Sequence, residues 1–424
     1  MARIYRRFNI DNPPPPIMTS DPDSFAYKTM TTRIPQVVQN VIADHRDTYP
    51  ARFIEALQEL HDEIVENRPV APLYSTAPDE EDWRTVWSKY QNRTWLDIPW
   101  FFAEAYFYRR LLEAVNYFGD DEWAGVDPYL PRKQAELAGP APWQMLEAAL
   151  EATGEDSPHR LYPLLNYAVW GNRVDLSYTQ VTEQTGRDIV LENEAGNLIV
   201  DESDEAVQYL EELQDDNLDA LDLGERGESI QILCDNAGAE LLTDLALADF
   251  FLRGSWADMV ILHVKAYPTF VSDATVADVQ MSLEALAGRS SPWLKSLGDR
   301  LRAFKRQGRL LIQADSFWNS AHFFWELPPT LTAELGRAGL VIIKGDANYR
   351  RLLGDSRVWD PTTPLFQAAL YFPAPFLVLR TMKSDPIVGL PPGKAEQLDA
   401  QDPHWRVNGQ RGVIQFCDEI MEEL

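Results

Sequence analysis

Five short apolar runs in the second half of this chain each lead into residues that can do chemistry. Ile230–Cys234 runs into Asp235-Asn236, and Met259–Val264 leads to Lys265 and then Ser272-Asp273. Arg309–Gln313 ends in Asp315-Ser316. Leu340–Ile343 ends in Lys344-Gly345-Asp346, with Asn348 and Arg350 just beyond. Phe376–Leu379 ends in Arg380-Thr381 and continues to Lys383 and Asp385. Asp235, Asn236 and Asp273 offer oxygen donors, two of them anionic. That set suits a hard divalent cation such as Mg2+ or Mn2+, with water completing the shell. The six histidines are scattered and form neither an HExxH motif nor a His/Cys set, so nothing favours zinc. Lys344, Arg380 and Lys383 supply positive charge for a phosphate. A divalent ion beside such cations is equipment for phosphoryl transfer: the ion activates water and polarises phosphorus, and the cations stabilise charge on the transferring oxygens.

Each piece alone has a plainer reading. Asp-Asn after a strand often caps a helix or makes a turn, and Ser272-Asp273 also looks like a helix start. The joint reading is stronger, because open α/β sheets bind ligands beyond the carboxyl ends of their strands. Competing motifs are missing. There is no GxxxxGK[ST], no GxGxxG after a strand and no GxSxG. An aspartyl-phosphate mechanism would want a second acid two positions after Asp235, where Ala237 stands. Attack by metal-activated water is therefore preferred to a covalent intermediate.

The elements that must position these residues follow from pattern. From about 225 to 424, β-rich runs alternate with helical stretches such as Gly238–Phe251, as crossover helices and a parallel sheet require. This part is expected to be a doubly wound, mainly parallel, Rossmann-like α/β domain carrying the metal and the catalysis. Residues 25–180 read as a helical region. Val37, Val38, Val41 and Ile42, then Phe53, Ile54, Leu57 and Leu60, recur at helical spacing, and an aromatic run over 95–118 predicts a buried helix. Arg109 and Arg110 on that helix either reach a cleft or snorkel to the surface. Pro13 to Pro16 suggest that 1–24 is a loose, flexible arm. Over 181–224 the pattern predicts a hairpin, 188–191 with 198–200, and then a solvated acidic helix and connector. Trp318, Phe323, Phe324 and Trp325 read chiefly as core, with Asn319 and His322 beside them.

Charge narrows the partners. Lys plus Arg is 38 and Asp plus Glu is 66 in 424 residues, a net of -28 that repels nucleic acid and anionic membranes. The last 84 residues hold 9 basic and 11 acidic side chains, so a basic pocket for a small anion is easiest to place there. Two cysteines, Cys234 and Cys417, outside any CxxC pair make no disulfide framework. With no signal-like or membrane-length apolar stretch, a cytoplasmic location is expected.

The same residues carry a resemblance. Cys234-Asp235-Asn236-Ala237-Gly238-Ala239-Glu240, His263 to Asp273, Lys344-Gly345-Asp346-Ala347-Asn348-Tyr349-Arg350 and Leu379-Arg380-Thr381-Met382-Lys383-Ser384-Asp385 stand in this order. So do Thr32 to Pro35 and Glu104 to Arg110. In these motifs, over about 25–420, the chain resembles the DUF89 family of metal-dependent damage-control phosphatases. The resemblance is greatest to the branch also described as protein-glutamate O-methyltransferases. It implies a divalent cation (Mn2+, Co2+, Ni2+ or Mg2+) on Asp235, Asn236 and Asp273. It implies phosphate-facing roles for Lys344 and, less directly, Glu240, Asp346, Asn348, Arg350, Arg380 and Lys383. It implies hydrolysis of small phosphorylated metabolites, notably sugar phosphates such as fructose 1-phosphate. The alternatives are an S-adenosylmethionine-dependent protein carboxyl methyltransferase and a non-catalytic binding protein. Oligomeric state is not legible.

Overall fold

The computed structural model describes residues 13–152, 161–171, 196–223 and 227–419. Its centre is a seven-stranded sheet of β1 (Leu198–Asp201), β2 (Ser229–Leu233), β3 (Met259–Lys265), β4 (Leu310–Asp315), β5 (Ala338–Lys344), β6 (Phe376–Thr381) and β7 (Gly412–Cys417), in the order β1-β7-β6-β5-β2-β3-β4. β2 to β6 are mutually parallel, β7 is antiparallel to β6, and β1 runs parallel to β7. The fold is the expected α/β class, with a mainly parallel sheet. The chain builds outward from β2 through β3 to β4, then returns to lay β5 on the other side of β2. That reversal makes β2 and β5 the switch point of the sheet, and ligands in such sheets usually bind beyond the carboxyl ends of the strands there.

Both faces of the sheet are covered, which is why β2, β5 and β6 are buried at every residue. Alternate side chains serve opposite layers. Ile230, Ile232, Leu340 and Ile342 join the core under helices Ala239–Arg253, Val276–Ala287 and Pro292–Gln307, whereas Leu233, Val341 and Ile343 face Tyr349, Leu352 and Leu353 of helix Gly345–Leu353. The helical region divides between two cores. Ile34–Asp44, Ala51–Val65 and most of Trp100–Ala114 build a cluster of their own. Ala141–Ala152 and Leu161–Trp170 pack instead on the sheet with Ala239–Arg253.

Several expectations meet a different arrangement. The first hairpin arm, 188–191, lies outside the described residues. The second is β1, an edge strand with Leu198 opposite Gly412 of β7. The acidic stretch is the helix Ser203–Leu223, and Ala206, Val207, Leu210 and Leu213 bury one face on the sheet core while Asp204, Glu205, Glu211, Glu212, Asp215, Asp216 and Asp219 are exposed. The proline-rich segment is tied down from Pro15 onward. Ser356 donates to Pro15 O at 2.6 Å, Ile17 N–H to Asp355 O at 2.8 Å, and Trp100 N–H to Ile17 O at 2.8 Å. Arg109 neither snorkels nor lines a cleft: it makes a buried bidentate pair with Asp79 at 2.9 and 3.1 Å. Arg110 pairs with Glu63 at 3.1 Å. Among the described residues, no helix is long and apolar enough to cross a membrane.

Ion pairs fasten the N-terminal core to the α/β part. Arg350 is buried between Glu104 (2.6 Å) and Asp355 (2.8 Å), with its guanidinium 3.7 Å from the Trp100 ring centre. His322 lies between Asp82 (2.8 Å) and Glu326 (3.2 Å), and hydrogen bonds to both raise its pKa from 6.5 to about 9 against the effect of burial. Because the folded value is above the unfolded one, this contribution is complete below about pH 6.5 and is lost as pH rises through about 9. Partial exposure limits it to about 1 kcal/mol. Urea unfolding of wild type and His322→Gln should therefore differ near pH 6 and converge by about pH 9.5. A pH-independent gap would contradict this assignment.

Candidate active site

Asp235 and Asn236 leave the end of β2, Asp273 closes the long loop after β3, and Lys344 ends β5. An isolated antiparallel bridge joins Asn236 to Asp273, and Ala274 N–H donates to Asp235 O at 2.8 Å. Residues separated by 38 positions are thus fixed side by side by main-chain bonds. Gly345 completes the floor. Its φ is +80°, and a Cβ there would fall 2.0 Å from Asp235 Oδ2, so only glycine lets β5 approach the carboxylate.

Asn236 Nδ2 donates to Asp235 Oδ2 at 2.7 Å and to Glu240 Oε2 at 2.9 Å, and its Oδ1 accepts from Ser272 Oγ at 2.5 Å. Asp273 Oδ2 lies 3.3 Å from Lys265 Nζ but accepts no hydrogen bond, although it is buried. Burial, then Asp273 and Glu240, pushes the Asp235 carboxyl well above the ordinary carboxylate range, with Lys265 and Lys383 opposing. Burial likewise raises Asp273 despite Lys265. Crowded buried carboxylates, only partly offset by Lys265, form a site whose charge a cation would relieve. Among the described residues, no three Asp, Glu, His or Cys side chains are grouped to hold an ion. The donor set that fits a hard divalent cation is the smaller one, two carboxylates with the Asn236 amide oxygen.

The cations divide by role. Lys344 is fully buried and engaged: its Nζ donates to Asp244 Oδ1 (2.5 Å) and Ala168 O (2.9 Å), and Glu240 Oε1 lies 3.3 Å away. Burial alone would lower its pKa, yet Asp244 and Glu240 raise it on balance. Burial pushes Asp244 up to about 6 in spite of Lys344. Arg380 is buried on Asp346 (2.8 Å), Pro386 O and Ser384, over the Tyr349 ring. Burial would raise Asp346, but Arg380 and Arg350 outweigh it and hold the carboxyl low. Asn348 Nδ2 donates to Lys344 O at 2.9 Å and bridges towards Leu233 O, tying β5 to β2. Arg350 points away, into the Glu104–Asp355 pair. Lys383 is half-buried and close enough to Asp235 to act on its charge, and its ammonium enters no ion pair among the described residues. Asp235, Asn236, Asp273, Glu240, Lys344 and Lys383 therefore share one rim, while Asp346 and Arg380 brace its edge.

Four supporting residues escaped the sequence reading. Lys133 donates to Asp273 O at 3.0 Å, and Glu136 accepts from Ala239 N–H at 2.9 Å, capping the helix behind Asn236. Asp244 anchors Lys344. Asp79 accepts from Tyr267 OH at 2.7 Å and so holds the loop before Asp273. Only Asp244 carried a signal, lying one helical turn after Glu240 on a buried helix. The other three come from helices or loops far away in sequence.

Fold and site define an α/β protein with a buried cluster of carboxylates and lysines at the switch point of its sheet. Residues 29–398 match the family described as the damage-control phosphatase ARMT1-like domain. The chain is 30% identical to Damage-control phosphatase ARMT1 of Xenopus laevis over 444 residues, covering 96% of this chain and 100% of that protein. It is 30% identical to the Homo sapiens protein of the same name over 440 residues, covering 95% and 98%. A DUF89 family protein from Pyrococcus horikoshii superposes with a TM-score of 0.44 at 15% identity, over 91% of this chain and 97% of that one. The chain belongs to the damage-control phosphatase ARMT1-like family.

The burial of Lys344 makes a stability prediction. Lys344→Met leaves Asp244 and Glu240 without their cation and should cost about 3 kcal/mol, readable by urea denaturation. Lys344→Met/Asp244→Leu should recover much of it. Wild-type stability in the single variant would contradict the structural role given to Lys344.

Proposed function

We propose that the protein is a metal-dependent phosphatase of small phosphorylated metabolites, with sugar phosphates such as fructose 1-phosphate as the substrate class. The observation that carries this reading is the pairing of the buried Asp235 and Asp273 across the Asn236 bridge, with burial raising both carboxyls. Family membership supports the reaction class.

Asp235, Asn236 and Asp273 would hold the cation. When bound, a divalent ion such as Mn2+, Co2+, Ni2+ or Mg2+ supplies a Lewis acid and an activated water. Asn236 is oriented for its part: its amide nitrogen is held by Asp235 and Glu240, which turns Oδ1 toward Ser272 and the bridge. Lys383 would meet the phosphate, because its charge acts on Asp235 and no carboxylate among the described residues pairs with it. Asp346 fixes the loop that carries it, accepting from Lys383 N–H at 3.0 Å while Arg380 holds Asp346 from behind. Glu240 and Asp244 keep Lys344 charged under the site, and its ammonium offsets part of their own buried negative charge.

Phosphate release from a panel of sugar phosphates, by metal-stripped protein and after adding back each ion, tests the reading. Asp235→Asn and Asp273→Asn should lower turnover at least about 100-fold while the protein still folds. Lys383→Met should raise KM about tenfold with little change in the unfolding midpoint, the loss of one charge-assisted phosphate contact. No release with any ion from folded, metal-loaded protein would defeat the phosphatase reading and make titration with a methyl donor the next step.

A further inference from the structure

Lys133 lies in the helix Leu130–Ala138, remote in sequence from every strand end, and is buried. An ammonium has three donors, and three acceptors surround this one. They are Asp273 O at 3.0 Å, Asp278 Oδ2 at 2.8 Å and Asp127 Oδ2 at 3.0 Å. Asp278 closes the capping box of helix Val276–Ala287, accepting from Thr275 N–H at 2.9 Å and Thr275 Oγ1 at 2.7 Å. Lys133 thus grips the main chain of Asp273 and the start of the helix that follows it.

The segment just before Asp273 is strained. Phe270 has φ +49° and Val271 φ +70°, both in the left-handed region and neither a glycine. A β-branched residue rarely adopts that conformation, and it persists only where its surroundings hold it. The N-terminal core holds one side of the turn. The Phe270 ring lies 4.8 Å from that of Tyr108, and Phe270 and Val271 both pack on the helical cluster. On the other side, Ala237 N–H donates to Ser272 O at 2.7 Å, and Lys133 takes the next carbonyl, that of Asp273.

We propose that Lys133 is a positioning residue for the metal ligand Asp273, clamping the strained Phe270-Val271 turn so that the carboxylate stays beside Asp235. Its three donors are all engaged, so it acts through Asp273 rather than on substrate. The inference rests on the metal site proposed above. It also gives the N-terminal helices a part in the reaction, because the clamp and the Tyr108 contact both come from them.

The test is a cycle of full-length, metal-stripped proteins: wild type, Lys133→Met, Val271→Gly and the double variant. Mn2+ affinity is read by calorimetry, and the unfolding midpoint is read without metal. Lys133→Met should weaken Mn2+ binding about tenfold or more, the usual effect of removing a partner behind a metal ligand. Glycine accepts φ +70° without strain, so the double variant should bind Mn2+ more tightly than Lys133→Met alone. A residue that only staples the fold predicts the reverse, losses that add in the midpoint and leave affinity alone. Wild-type affinity in Lys133→Met, or simple addition of the losses in affinity, overturns the proposal. If Lys133→Met does not fold, Lys133→Arg keeps the charge opposite Asp127 and Asp278 with a different donor geometry, and the cycle is read in the same way. Wild type that binds no Mn2+ would defeat the metal reading itself, a result distinct from failure of the clamp.

Discussion

Buried like charge at the carboxyl ends of β2, β3 and β5 is the constraint on which the rest of the structure depends. Asp235, Asp273, Glu240 and Asp244 are all nearly inaccessible and lie close to one another. An isolated buried carboxylate is costly, and several together are worse. Two lysines, Lys265 against Asp273 and Lys344 against Asp244, neutralise part of this charge. What remains is centred on Asp235, where the proposed divalent ion would offset it. The hydrophobic sheet and its helices supply the rigidity that keeps such a cluster from relaxing apart.

That constraint explains why the chain needs more than its α/β half. The loop from β3 to Asp273 is long and contains a strained turn, so it cannot hold its own shape. Asn319 clamps its start, accepting from Ala266 N–H and donating to Tyr267 O, both at 2.8 Å. Asp79 and Arg109 hold the Tyr267 hydroxyl end, and Lys133 holds the exit. Two of these three clamps originate in the helical region. The helices are therefore a wall built against the site, fastened by the Arg350–Glu104–Asp355 cluster at its far side.

The sheet's central strands and the place of Asp235 and Asn236 at the end of β2 were legible in the sequence because they obey local rules, whereas Asp273 reaches them only through the loop after β3. A strand buried on both faces must be an apolar run, and polar residues directly after it must lie on the sheet's carboxyl rim. β7 was not foreseen: its run is short, and Gln415 interrupts it, although inside the fold that side chain is satisfied by Tyr349 OH and Val388 O. Nor could sequence sort the cations. Lys344, Arg350, Arg380 and Lys383 look equivalent beside strand ends, yet carboxylates 100 and 246 positions away engage Lys344 and Arg350. Long-range ion pairs have no periodicity, so Lys133 and Asp79 gave no signal at all.

The central claim is that the carboxylate cluster is built around a divalent ion, and proton-coupled metal binding tests it most directly. Mn2+ should be titrated into metal-stripped protein by calorimetry, in buffers of differing ionisation enthalpy and over a range of pH. Burial raises both carboxyls, and at Asp235 the neighbouring Asp273 and Glu240 add to it, so a bound ion is expected to compete with protons there. The expected result is one ion per chain, with protons released on binding and affinity that increases with pH. Folded protein that binds no ion, or binds it equally in Asp235→Asn, would contradict the account.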